Sequence, residues 1–352
     1  KTTKITAGAA KTLTFRNEKK VSLTVYKYKE GTTEPLAGVK FKVTVNDGSA
    51  LPNNGIFVTN TQGQFVVPNL IPGVVVTAQE VETVNGYDLD PYPQSITIQS
   101  DGSGQSATGN GQSLSFGNKP LANLTLVKVD SITKKPLAGA KFLATDESGA
   151  AVGATGGHFI TGENGQVTIT GIKPGITVTV KEEEAPSGYA LNVHPQTITV
   201  QSGKDNRLVF DNDPLCNLTV RKVDSRSGDP LSGAQFLVTN QDGSPVGASD
   251  GHFTTDANGT FTVSGLTPGA AITVREEKAP AGYTLNQEPQ TIVVKSGEDN
   301  TLTFANEAKG TLIILKLDKT NSKPIQGAEF KITTASGELV AKLEGATANT
   351  GM

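Results

Sequence analysis

The chain has 352 residues, more than one typical domain holds, and its net charge of -3 argues against a nucleic-acid or anionic-membrane partner. Trp is absent, aromatic residues reach only 5%, and there are 39 Gly and 18 Pro. That composition favours short strands joined by turns over large helical cores. No run of about 18 apolar residues occurs, so this segment is expected to make no membrane contact. Cys216 is the single cysteine, which rules out an intrachain disulfide and multi-thiolate metal sites. Neither metal nor cofactor is expected.

In chain order, "LTFRN" at 13–17 closes a segment, 1–18, that reads as the final strands of a preceding repeat. "LTVYKYKEGTTEPLAGVKF" at 23–41 opens the first whole unit, 19–119, which ends in "LSFGN" at 114–118. "LTLVKVDSITKKPLAGAKF" at 124–142 and "LVFDN" at 208–212 bound the second, 120–213. "LTVRKVDSRSGDPLSGAQF" at 218–236 and "LTFAN" at 302–306 bound the third, 214–307. "LIILKLDKTNSKPIQGAEF" begins at 312, so 308–352 reads as the first half of a further repeat. Lys27, Lys128, Lys222 and Lys316 are spaced by 101, 94 and 94 residues, and so are Asn17, Asn118, Asn212 and Asn306. Such self-similarity marks tandem domains of about a hundred residues, each large enough for its own core. The expected whole is a window from a longer array.

Inside a unit nearly everything reads as strand. "GQVTITGI", "PGITVTVKE" and "PQTITVQSG" alternate apolar and polar residues between glycines and prolines. Asn164-Gly165, Asp242-Gly243 and Asn258-Gly259 are hairpin turn signals. Seven or so short strands per unit predict an all-β array of two-sheet sandwiches of immunoglobulin-like size.

Three polar residues per unit break the alternation. Lys128 shares the inward face of Leu124 and Leu126. Glu182 continues the face of Val178 and Val180, and Asn212 that of Leu208 and Phe210. The other units repeat this with Lys27, Glu80 and Asn118 and with Lys222, Glu276 and Asn306. First and last strands of a sandwich are often neighbours, which would let these side chains meet. Two readings follow. A satisfied Lys–Glu ion pair hydrogen-bonded to Asn is one. The other is an intramolecular Lys–Asn amide, formed by a desolvated neutral lysine with a protonated glutamate as shuttle.

The motifs "KVDSITKKPLAGAKF", "VKEEEAPSGYALN" and "FDNDP", in that order, resemble the Cna B-type repeats of Gram-positive collagen adhesins and sortase-assembled pilins, and the resemblance covers nearly the whole chain. It implies Greek-key sandwiches and self-catalysed isopeptide bonds Lys27–Asn118, Lys128–Asn212 and Lys222–Asn306, assisted by Glu80, Glu182 and Glu276. Asn17 and Lys316 would have partners outside this window. Repeat one departs from the pattern, with "EVETVNGYDL" where the others have "APSGYAL" and "APAGYTL". The resemblance also implies a stalk or pilus shaft. Such a shaft is extracellular, anchored to the bacterial surface by a segment not present here, with neighbouring repeats as partners and a host matrix protein held by a tip domain outside this chain.

The alternative is that the repeats themselves bind a matrix protein or glycan. The "GGHF" and "DGHF" loops, at His158 and His252, distinguish repeats two and three but read as solvated surface. A turnover enzyme is not expected: alternation sets Glu183 opposite Glu182 and Glu184, and no convergent carboxylate pair, phosphate loop or metal cluster is evident. "LPNNG" at 51–55 superficially resembles a sortase signal but lacks its Thr and sits mid-domain. Cys216 reads as a small side chain at a domain junction, where the previous repeat has Ala122.

Overall fold

A computed structural model describes residues 4, 7–8, 10, 12–15, 19–100, 112–247, 249–325, 327–328 and 330–339. The chain forms two compact units, 1–217 with 264–270 and 294–299, and the remainder. Each whole repeat is a seven-stranded sandwich, and the alternating burial along its strands is what closes the two sheets on each other.

In repeat one the strands are β1 (Val21–Lys29), β2 (Lys40–Val45), β3 (Ile56–Val58), β4 (Gln64–Leu70), β5 (Val75–Glu82), β6 (Gln94–Thr97) and β7 (Ser113–Asn118). One sheet has the order β4-β1-β7 and the other β3-β2-β5-β6. Repeat two follows with β8 (Ala122–Asp130), β9 (Lys141–Thr145), β10 (His158–Ile160), β11 (Gln166–Ile172), β12 (Thr177–Glu184), β13 (Gln196–Thr199) and β14 (Asn206–Asn212). Repeat three has β15 (Cys216–Asp224), β16 (Gln235–Thr239), β17 (His252–Thr254), β18 (Thr260–Leu266), β19 (Ala271–Lys278), β20 (Gln290–Val293) and β21 (Thr301–Asn306). Both repeat the sheet orders of the first.

The first strand is the centre of the smaller sheet, antiparallel to the fourth and parallel to the last. Between the sheets lie residues such as Leu124, Leu126, Phe142, Val178, Val180 and Phe210, all fully buried. Repeat one buries the corresponding Leu23, Val25, Phe41 and Phe116, whose rings Phe41 and Phe116 meet edge to face. Edge-to-face aromatic contacts add directional packing to area burial.

A single glycine per repeat holds the lysine strand in place. Gly63, Gly165 and Gly259 have φ of 66°, 70° and 69°, and each carbonyl accepts the amide of its repeat's lysine at 2.7 Å. A Cβ on Gly165 would stand 2.6 Å from the Lys128 carbonyl oxygen and 2.7 Å from Pro136 Cβ. Only glycine fits that left-handed, crowded position.

The segment after each last strand is also tied down. Leu121 donates to the Gly86 carbonyl at 2.8 Å, Leu215 to Gly188 at 2.9 Å, and Lys309 to Gly282 at 2.7 Å. Each pairing belongs to the Gly-Tyr turn of the same repeat, through bridges Tyr87–Pro120, Tyr189–Pro214 and Tyr283–Ala308. Pro120 and Pro214 fix their own φ at the first two of these bridges, and Ala308 takes that place in the third.

Two local expectations need correction. His158 and His252 open strands β10 and β17 instead of lying in loops, and each meets a glutamate, Glu183 or Glu277, at 3.1 Å. Glu184 does not follow Glu182 inward: the ladder shifts between them, so Glu182 pairs with Phe142 and Glu184 with Lys141. The bulge turns Glu184 to solvent, where it meets Lys141 Nζ at 2.6 Å. Cys216 is buried, as Ala122 is, and burial raises its thiol pKa. "LPNNG" forms a short turn, with a 3-10 segment at Pro52–Gly55.

Asn17 lies outside the described residues. Among the described residues of 309–339 no strand forms, only the bridges Leu317–Pro324 and Thr333–Leu339. The Lys316 carbonyl still accepts the amide of Ile325 at 2.9 Å, as that of Lys128 accepts Leu137. The turn after the lysine is thus local in origin, but Lys316 itself is exposed.

Candidate functional site

Each sandwich brings its three expected intruders to one point between the sheets. The lysine comes from the middle strand of the small sheet, the asparagine ends the parallel neighbour, and the glutamate comes from the facing sheet. Lys27, Lys128 and Lys222 are all 0% exposed. Asn118, Asn212, Asn306, Glu80, Glu182 and Glu276 are buried with them.

In repeat two, Lys128 Nζ donates to Asn212 Oδ1 at 2.5 Å, and Asn212 Nδ2 donates to Glu182 Oε1 at 2.9 Å. The same glutamate oxygen lies 3.7 Å from Lys128 Nζ. The Asn192 amide donates to Glu182 Oε2 at 2.9 Å, fixing the carboxyl from behind. Repeat three repeats this closely. Lys222 meets Asn306 at 2.5 Å, Asn306 meets Glu276 at 2.8 Å, and the Asn286 amide caps Glu276 at 2.9 Å.

Repeat one differs in detail. Lys27 Nζ donates to Asn118 Oδ1, and Asn118 Nδ2 donates both to Glu80 Oε1 at 2.6 Å and to Thr83 Oγ1 at 2.7 Å. Asp90 stands where the others have Asn192 and Asn286, and its amide makes no bond to Glu80. Glu80 Oε2 sits 2.7 Å from Lys27 Nζ, outside hydrogen-bonding alignment, and has no other donor among the described residues.

Burial sets the electrostatics. Desolvation pulls Lys128 down to about 8, against the attraction of Glu182, Asp211 and Asp213. It lowers Lys27 and Lys222 as well, with Glu80 and Glu276 opposing. Burial raises the Glu182 carboxyl, and the Asn192 amide and Lys128 oppose that shift. Both members of the Lys128–Glu182 pair are therefore pushed toward their uncharged forms.

Around the site stand residues the sequence reading did not single out. Asp130, two residues past Lys128, accepts the amides of Ile132 and Thr133 and the Tyr189 hydroxyl at 2.9 Å, and these bonds hold its carboxyl below the usual range. Thr161 is buried, donates to the Leu137 carbonyl at 2.9 Å and accepts the Ala140 amide at 3.1 Å. Thr59 and Thr255 do the same in their repeats. Their signal was a Thr-x-x-x-Gly spacing ending at Gly63, Gly165 and Gly259. Among the described residues no cluster of three His, Cys, Asp or Glu could hold a metal.

A β-sandwich that closes a lysine, a glutamate and an asparagine inside its core, three times in tandem, defines the class. The family model for the SpaA prealbumin-like fold domain matches residues 21–112, 122–214 and 216–308, and the chain belongs to that family. No curated protein matches it. Among solved structures it is similar to the Bacillus anthracis TIE protein, at 25% identity and a TM-score of 0.35, over 82% of this chain and 51% of that one. The chain thus spans about half the length of that protein. It is also similar to a streptococcal ancillary pilin, at 18% identity and a TM-score of 0.36, over 83% of this chain and 100% of that one. BcpA, the major pilin subunit of Bacillus cereus, matches at 17% identity and a TM-score of 0.33, over 83% and 100%.

Proposed function

We propose that this chain is a load-bearing segment of a Gram-positive surface stalk or pilus shaft, each whole repeat locked by a Lys–Asn isopeptide bond that it forms itself. One observation carries the reading: an amine, a carboxamide and a carboxyl are in mutual contact, buried, and repeated three times.

The chemistry is amide exchange. Neutral Lys128 Nζ attacks Asn212 Cγ while the protonated Glu182 hydrogen-bonds the carboxamide. The Nζ–Cγ bond forms, the Cγ–Nδ2 bond breaks and ammonia leaves. One proton passes from Nζ to Nδ2 through the Glu182 carboxyl. Contact geometry and exclusion of water supply the rate. The reaction runs once per repeat, so the protein is not a turnover enzyme.

The bond changes how force travels. Tension enters β8 at Ala122 and leaves β14 at Asn212, two parallel neighbours. With Lys128 joined to Asn212, load crosses a covalent bond and residues 129–211 carry none. Closing this loop stabilises the repeat by about 4–5 kcal/mol on the loop-entropy scale used for disulfides.

Intact mass of the purified chain tests the reading. A deficit of three ammonia masses supports it, and peptide mapping assigns each bond. An unaltered mass overturns it, leaving three buried ion pairs.

A further inference from the structure

Repeat one lacks one of the contacts that hold the glutamate in the other two, and carries a hydroxyl that they lack. Thr83 aligns with Ala185 and Ala279. Its Oγ1 accepts the second hydrogen of Asn118 Nδ2 at 2.7 Å, alongside Glu80 at 2.6 Å. In repeats two and three the asparagine nitrogen donates to the glutamate alone among the described residues. There, the glutamate is instead fixed by the amide of Asn192 or Asn286, a contact that Asp90 does not make.

We propose that Thr83 is a catalytic residue specific to repeat one, holding the leaving nitrogen of Asn118 while Glu80, without a backbone donor behind it, moves the proton. The inference rests on the isopeptide reading above. As Lys27 Nζ bonds to Asn118 Cγ, the carbon becomes tetrahedral and the Nδ2 lone pair is no longer delocalised. Nδ2 then carries a lone pair that takes the proton from Glu80. As positive charge builds on it, its N–H bond to the Thr83 oxygen strengthens, a bond that a methyl group cannot accept. The Nζ–Cγ bond forms, Cγ–Nδ2 breaks, and ammonia leaves with the proton that Nζ gave up through Glu80. Thr83 neither gains nor loses a proton overall. Once ammonia has left, Thr83 has lost this partner, so its role belongs to the reaction and not to the finished domain.

The test is a chase after brief cell-free synthesis of the full chain, with cross-linked peptides of all three repeats quantified by mass. Thr83→Val is expected to slow formation of the Lys27–Asn118 peptide about tenfold, the scale of one hydrogen bond to the reacting group. The Lys128–Asn212 and Lys222–Asn306 peptides serve as internal controls and form at their usual rate. Thr83→Ser restores the rate, and fully reacted Thr83→Val melts with the unaltered chain. Equal rates for Thr83→Val and the unaltered chain overturn the inference and leave the isopeptide reading intact. A lower melting temperature of the reacted variant at an unchanged rate assigns Thr83 to structure and overturns it as well. No cross-link in any repeat of the unaltered chain overturns both.

Discussion

Asn212 does not stand opposite Lys128 in the parallel ladder; Phe210 does, and Asn212 pairs with Asp130 two residues further on. The same offset puts Phe116 opposite Lys27 and Phe304 opposite Lys222. Two residues of strand are about 6.6 Å, close to the reach of an extended lysine side chain. The lysine therefore lies along its own strand, past the phenylalanine, and presents Nζ to the carboxamide. Lys128→Arg is expected to abolish the repeat-two cross-link, because a guanidinium stays charged and cannot act as a neutral amine. Calorimetry should show repeat two alone destabilised by at least the cross-link's contribution, about 4–5 kcal/mol. Retention of the full ammonia deficit in this variant would place the bond elsewhere.

The proton count of the pair fixes the sign of the pH dependence. The reactive state, neutral Lys128 with protonated Glu182, holds one proton between the two groups, as does the ion pair. Its fraction is therefore level between the two apparent pKa values and falls outside them. Cross-linking of repeat two should decline above the lysine's value of about 8. In Glu182→Gln no carboxyl takes the proton, and any residual reaction needs Lys128 to lose it to solvent. That slower rate should rise with pH and then level off. Diverging profiles in the chase experiment are the expected result, the unaltered chain declining at high pH where the Gln variant has levelled off, and parallel profiles would remove Glu182 from proton transfer.

Gly165→Ala probes how the lysine is held. The new methyl group would press on the Lys128 carbonyl and on Pro136, at a φ of +70°. A non-glycine residue in that region costs about 1–3 kcal/mol before any clash, so a loss of roughly 2–4 kcal/mol in repeat two is expected by denaturant titration. Cross-linking should slow in the same repeat. Gly171→Ala, with a similar φ of +75° but nothing near its Cβ, should cost less.

Much of this was legible because repetition and alternation are both sequence properties. Lys128, Glu182 and Asn212 stood out as polar residues on apolar parity, and the structure brings them within hydrogen-bond reach. What parity could not show was the bulge that turns Glu184 outward, since one extra residue reverses every side chain beyond it. Parity was also blind to Asn192, which acts through its backbone amide, so its side chain carries no trace of the role. Thr83 was hidden differently: it lies just past the end of β5, where no pattern applies, and its partner comes from a strand 35 residues away.

Thr161 closes the loop between β8 and β9, and its replacement separates hydrogen bonding from packing. Its hydroxyl serves two buried backbone groups, the Leu137 carbonyl and the Ala140 amide, while its own amide donates to the Ala140 carbonyl at 3.0 Å. Thr161→Val keeps the shape but strands both groups away from water. Each unsatisfied buried group costs about 1–3 kcal/mol, and partial relaxation should leave a net loss of roughly 2–3 kcal/mol. Thr161→Ser keeps the hydroxyl and drops one methyl, a change of about 1 kcal/mol. Because Gly139 donates to the Thr161 carbonyl at 2.9 Å in either variant, the loop retains its backbone tie. Valine costing more than serine in unfolding measurements is the expected order. The reverse order would mean that the methyl group holds this loop and the hydroxyl does not.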